Sequence, residues 1–222
     1  MADHLAGRTV LVAGAGSASG HAAVRALVGA GARVVAAGRD VDRLAPLRAL
    51  GARTVTCDLT DPDAVTALAA RLETHEGGAD GMLHLVGGWR GGGGLPGQSE
   101  NDYRALEGGL TALRHLSRAL WPQLLRSTAA RIAIVSSTAV VRPLAGGANY
   151  AAVKAAEEAW MRSVAHGFAK EARDAGEPLR AAAVVFRVRA LAGLEDDLAA
   201  RFCSLWEADA SAVNDTVITL GD

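Results

Sequence analysis

Thr9-Val10-Leu11-Val12-Ala13, followed at once by Gly14-Ala15-Gly16-Ser17-Ala18-Ser19-Gly20, is the stretch whose reading decides the fold. The first part is an apolar run of buried-strand length, and the second is a turn of small residues. A helical pattern follows from about His21 to Ala30, with Val24, Leu27 and Val28 apolar, and stops at Gly31. Strand, glycine turn and helix in succession form the context in which a glycine motif carries chemistry. Backbone N–H groups at the helix start receive a pyrophosphate, and small residues let it approach. Gly14, Gly16, Ser17, Ser19 and Gly20 are the candidate contacts; a plain tight turn is the alternative reading.

Further strands are expected at Arg33–Ala37, Thr54–Cys57, Met82–Val86, Arg131–Val135, Ala181–Val188 and Thr216–Leu220. Between them, helical patterns run over Asp61–Leu72, Glu100–Leu125, Tyr150–Ala175 and Glu195–Ala208. Asp61 caps the first of these, with Pro62 in its opening turn. Leu106, Leu110, Leu113, Leu116 and Leu120 make a stripe of helical spacing, suited to a core or a subunit contact. Strands alternating with helices predict an α/β chain. Its expected form is a Rossmann-like, doubly wound, mostly parallel seven-stranded sheet with helices on both faces.

Several strand ends carry residues that suit a nucleotide. An acidic residue at the tip of the second strand would bind a ribose 2′-hydroxyl. Here the tip is Gly38 and Arg39 comes next, an exchange that suits a 2′-phosphate, hence NADP(H) over NAD(H). A solvated loop arginine is the alternative. Asp58-Leu59, after the third strand, is placed to meet an adenine edge. The fourth strand opens into Gly87-Gly88-Trp89-Arg90-Gly91-Gly92-Gly93-Gly94, which would lie along the cofactor crevice. There Trp89 would stack and Arg90 would meet an anion, unless the loop is floppy and both are surface side chains.

The chemistry-bearing residues come late in the chain. Ser137 ends the apolar run Ile132-Ala133-Ile134-Val135, and Tyr150 and Lys154 are four apart on a predicted helix. Spacing of four puts both on one face. A phenol with a reference pKa near ~10 is a poor acid or base at neutrality, and a nearby ammonium favours the phenolate. Ser137 would then hydrogen-bond a substrate carbonyl oxygen.

Composition bounds the rest. A chain of 222 residues suits one domain spanning 1–222. With 21% charged residues and a net charge of −1, it offers no electrostatic case for nucleic acid or an anionic membrane. Cys57 and Cys203 lack metal-type spacing, so reduced thiols in a cytoplasmic protein are expected. The six histidines suggest no metal set. Met1–Arg8 is mostly polar and unlike a signal peptide, and no apolar run approaches membrane-spanning length.

With the glycine turn, Gly38-Arg39, Asp58, Ser137, Tyr150 and Lys154 in this order, the whole chain resembles a single-domain short-chain dehydrogenase/reductase. The resemblance implies that Tyr150 is the general acid/base and that Lys154 lowers its pKa and holds the nicotinamide ribose. It also implies that Ser137 orients the substrate oxygen, and that Val86 and Gly87 lie along the cofactor. The reaction implied is hydride transfer between a nicotinamide and a carbonyl/alcohol pair of a small-molecule substrate. A homodimer or homotetramer is implied too, paired through the Leu106–Leu120 helix and the Tyr150 helix.

The chain departs from the family's pattern at five places. Ala18 adds a methyl in the glycine turn, and His84-Leu85-Val86-Gly87 replaces the usual N-N-A-G. Gly109 stands where the family carries a catalytic Asn, and Phe186-Arg187 replaces the usual P-G. Few residues separate Arg187 from the helix at Glu195, where the family inserts a substrate-covering lid. An open pocket is expected, or one closed by a partner subunit. Two functions therefore stand: an NADP(H)-dependent oxidoreductase, or a catalytically weak or inactive relative acting as a nucleotide-binding sensor or interaction partner. Phe186 or Arg187 filling the nicotinamide position would favour the second.

Overall fold

A computed structural model describes residues 4–221. The first three residues of the polar Met1–Arg8 segment lie outside the described residues, and Leu5 of that segment is buried in the core. Strand β1 (Thr9–Ala13) is buried throughout and leads through the glycine turn into α1 (Ala18–Gly29). That helix begins three residues before the expected start because Ser17 caps it, its side chain accepting from the Gly20 N–H at 3.0 Å. Next come β2 (Arg33–Gly38) and α2 (Val41–Ala49), a helix the sequence pattern did not disclose. Asp40 caps α2 by accepting from the N–H groups of Asp42 and Arg43. Pro46 interrupts its otherwise helical composition.

The chain continues through β3 (Arg53–Thr56), α3 (Pro62–Glu76), β4 (Gly81–His84), α4 (Glu100–Arg126), β5 (Ala130–Ser137) and α5 (Ala148–Ala175). It closes with β6 (Ala181–Val188), α6 (Glu195–Ser204), α7 (Ala210–Val213) and β7 (Thr216–Thr219). Asp61 caps α3, with Pro62 opening it, and Gly77 ends it at a φ of 78° that suits glycine. The expected helix to Ala208 stops at Ser204 and gives way to a short 3₁₀ turn.

The seven strands lie in the order β3-β2-β1-β4-β5-β6-β7. Every pairing is parallel, where the sequence suggested mostly parallel. Strand alternation divides the core in two. Leu11 and Ala13 of β1 join Leu113, Leu116, Leu120 and Phe168 of α4 and α5. Val10 and Val12 join Val24 and Leu27 of α1 and Phe202 of α6 on the other face. The leucine stripe of α4 is thus core: Leu106, Leu113, Leu116 and Leu120 are buried in their own subunit and Leu110 is half-buried. Among the described residues no helix is long and apolar enough to cross a membrane. Cys57 and Cys203 are both free and buried.

Candidate active site

In this strand order the connection reverses between β1 and β4, and ligand crevices form beyond the strand ends at such a point. A cleft of about 990 Å³ opens there. The residues converging on it come from four connections. Ser17 and Ser19 stand at the start of α1, Val86 and Gly87 follow β4, Ser137 ends β5, and Tyr150 and Lys154 project from α5. The remaining predicted contacts do not line the cleft. Gly14, Gly16 and Gly20 shape the turn beside it, while Arg39, Asp58 and Leu59 stand at the ends of β2 and β3.

The glycine turn is built for close approach. A side chain on Gly14, whose φ is +81°, would sit 2.8 Å from the Leu85 backbone. A Cβ on Gly20 would come within 2.2 Å of the Ala15 carbonyl oxygen, so α1 and the turn touch only because glycine is there. With the open N-terminus of α1 at the cleft, these residues fit a dinucleotide's pyrophosphate. Leu59 packs its side chain into the core, leaving only its backbone for a ligand. Asp58 is turned on its own loop. Bonds from the Thr60 N–H at 2.9 Å and its hydroxyl at 2.7 Å hold its carboxyl below the usual range.

Around the three chemical residues the geometry is specific. Lys154 is 8% exposed, and its Nζ donates to the Val135 carbonyl at 2.9 Å and to Glu157 Oε2 at 2.7 Å. The Ser137 Oγ accepts from the Ala139 N–H at 3.1 Å, which leaves its own hydrogen for the cleft. His84 is buried, and its Nε2 donates to the Gly109 carbonyl at 3.1 Å, so Nδ1 is an acceptor without a partner. Burial, and then the charge of Lys154, push its pKa down to about 3, which keeps the ring neutral.

Phe186 and Arg187 leave the cleft clear. Where the resemblance expects Pro and Gly, β6 runs on as regular strand, pairing Val135 with Phe186 and Ser136 with Arg187. Phe186 turns into the α1–α6 core, and Arg187 turns to α5, giving Glu158 two bonds at 2.8 and 2.6 Å. The short segment after β6, Arg189–Ala192, borders an open cleft.

The glycine-dense loop is tethered by side-chain hydrogen bonds. Gln98 donates to the carbonyls of Gly92, Gly94 and Gly146 and accepts from the Asn149 N–H, tying the loop to the start of α5. Trp89, 67% exposed, borders the cleft as expected. Arg90 does not; it lies 3.9 Å from Asp102. Arg142 and Arg189 border the cleft in its stead, and irregular loop positions gave the sequence no pattern to flag them.

A family model for short chain dehydrogenases matches residues 8–172. The chain belongs to the short-chain dehydrogenase/reductase family. The enzyme is 33% identical over 168 residues to nodulation protein G of Rhizobium meliloti (strain 1021), covering 74% of this chain and 69% of that protein. Its fold is similar to that of a metagenomic short-chain oxidoreductase solved in complex with NADP. There the TM-score is 0.84 at 27% identity, covering 99% of each chain. A candidate short chain dehydrogenase from Pseudomonas syringae superposes at a TM-score of 0.85 and 26% identity, covering 99% of this chain and 97% of that one.

Proposed function

We propose that the enzyme is an NADP(H)-dependent oxidoreductase that interconverts a carbonyl and an alcohol on a small organic substrate. Tyr150 acts as general acid/base, Lys154 holds it in its working range, and Ser137 orients the substrate oxygen. The observation that carries this reading is the convergence of these three side chains on one open cleft from which Phe186 and Arg187 are turned away. A nicotinamide held in the cleft beside Val86, Gly87 and Lys154 would supply hydride-transfer chemistry. Tyr150 gives its hydroxyl proton to the carbonyl oxygen as that oxygen gains charge, and recovers a proton from water afterwards. The free hydroxyl hydrogen of Ser137 bonds the same oxygen and fixes its direction. In the oxidative direction each transfer reverses.

The preference for NADP(H) rests on charge at the end of β2. Gly38 offers no carboxylate there, Arg39 is exposed, and Arg43 of α2 crowds the glycine turn, its Cβ 3.0 Å from where a Gly16 side chain would begin. The metagenomic relative also holds NADP. Val86, Gly87 and the backbone of Leu59 complete the cofactor's contacts, with Asp58 at the adenine. Trp89 and Arg142 suit a substrate with a planar or anionic part. Two copies would pair through the outer faces of α4 and α5, where Trp121 and Trp160 border a groove of about 410 Å³.

Titration with NADPH and NADH, followed by cofactor fluorescence, tests the reading. Tighter binding of NADPH is expected, and Arg39→Asp should cut that preference about tenfold, the loss of one charge-assisted contact. Equal affinities in the unsubstituted enzyme would remove the 2′-phosphate assignment, and no binding of either would remove the oxidoreductase.

A further inference from the structure

Lys154 has a partner that its proposed role does not require. Glu157, one turn along α5, is 1% exposed and takes one of the three N–H bonds of the ammonium at 2.7 Å, while Val135 takes another. One bond is left for the cleft. The other carboxylate oxygen of Glu157 is set against bare backbone. A side chain on Gly109 of α4 would begin 2.9 Å from Glu157 Oε1 and 3.0 Å from the Val86 carbonyl. The carboxylate therefore fills the place that a side chain of α4 would fill, and Gly109 is what makes room for it. Gly109 is held in turn by the bond from His84 to its carbonyl.

We propose that Glu157 is a positioning residue of this active site. From α5 it fixes the Lys154 ammonium and offsets part of its charge, in the space that Gly109 of α4 leaves open and where the resemblance would place an asparagine. The proposal rests on the roles given above to Tyr150 and Lys154. Its physical content is a sign. A bare ammonium draws the proton off a neighbouring phenol; an ammonium with a buried carboxylate against it draws less. The paired arrangement holds the Tyr150 proton to higher pH than the lysine alone would.

The surroundings leave Glu157 as the group able to set this balance. Glu158, beside it on α5, is held ionised by Arg187 of β6, and His84 of β4 is neutral with a pKa of about 3. From β5 the pair meets the Val135 carbonyl, and from α4 the backbone of Gly109. None of these changes charge over the range in which a phenol titrates. Burial raises the Glu157 carboxyl above its ordinary value and the Lys154 charge draws it back in part, which fits a carboxylate whose one strong partner is the catalytic lysine.

The chain contains two tyrosines, Tyr103 and Tyr150, so Tyr103→Phe leaves Tyr150 as the only phenol. In that background, phenolate absorbance followed against pH reports Tyr150 directly in the folded protein. Glu157→Gln keeps the shape and removes the charge; it should lower the midpoint by about one pH unit, roughly tenfold in ionisation constant. Glu157→Asp should restore most of the shift. NADPH titration runs alongside. A midpoint that stays or rises in Glu157→Gln, with NADPH binding retained, overturns the role of Glu157 and leaves the oxidoreductase standing. Failure of the unsubstituted protein to bind NADPH defeats the oxidoreductase itself.

Discussion

Glu157 and Glu158 are neighbours on one helix, 1% and 2% exposed, and they hold their cations in opposite ways. Burial pushes both carboxyls upward. Glu158 overcomes it with three bonds: 2.8 and 2.6 Å from the fork of Arg187 and 2.7 Å from the Ser136 hydroxyl, which together bring its carboxyl below the ordinary value. Glu157 has the single bond from Lys154, and its carboxyl stays raised. Both carboxylates are shielded from solvent, but Glu157 lies deeper in the protein, and the opposite outcomes follow from that greater desolvation together with the fewer bonds it accepts. The satisfied trio, Ser136–Glu158–Arg187, clamps α5 to the ends of β5 and β6. The half-compensated pair keeps a cation exposed to the cleft. One is scaffold and the other is site.

The largest effect should come from removing the chemistry on the cleft side. The Tyr150 hydroxyl makes no hydrogen bond to any described residue, so Tyr150→Phe should leave the melting temperature in place. Reduction of carbonyl substrates by NADPH should fall by about 10²–10⁴-fold, the range for a lost general acid, with nucleotide affinity within a few-fold. Undiminished turnover would break the division between site and scaffold at its main point.

Next in size is damage to the clamp. Glu158→Ala leaves the Arg187 guanidinium and the Ser136 hydroxyl without their acceptor, and cutting one partner from a buried pair costs about 3–5 kcal/mol. The low end is expected because the Arg187 side chain keeps 22% exposure. Denaturant unfolding reads that loss, while the midpoint of Tyr150 should hold. A Tyr150 midpoint that moves as far in Glu158→Ala as in Glu157→Gln would mean the two glutamates are one network.

The sequence disclosed the scaffold better than this division. β1 and β6 were legible to the residue because apolar runs of strand length ended at a glycine turn or a polar segment. α4 was legible because of its strong leucine stripe; its cap, Ser99, came to light only in the structure. α2 was not, since Pro46 and the charged residues Asp42, Arg43 and Arg48 hide a nine-residue helix whose buried anchors are Leu44 and Leu47; Arg43 went unseen with it. Ser137, Tyr150 and Lys154 were legible because their spacing is chemical. Glu157 was not, because adjacent glutamates on a long helix read as a solvated face. Its burial depends on the missing side chain of Gly109, a contact across the fold that no local pattern records. The same holds for Phe186-Arg187, where strand alternation sends one residue into each layer and clears the cleft.

The smallest effect gives the sharpest contrast, because the two glutamates should respond to acid with opposite signs. An unfolded glutamate titrates near about pH 4.3. Glu158 has a lowered folded value, so its contribution to stability is present above about pH 4.3 and is lost as the pH falls through that lower value. Glu157 has a raised folded value. The folded state therefore takes up its proton first, and between the folded value and about pH 4.3 acid relieves the burial penalty instead of adding to it. Melting temperatures measured from about pH 6 down to about pH 3 should then fan out. Glu158→Gln should flatten the acid-side decline, and Glu157→Gln should steepen its upper part. The two differences should be opposite in sign. Parallel curves for the two variants would mean that both carboxylates are satisfied alike, and the distinction between clamp and site would have to rest on Tyr150 alone.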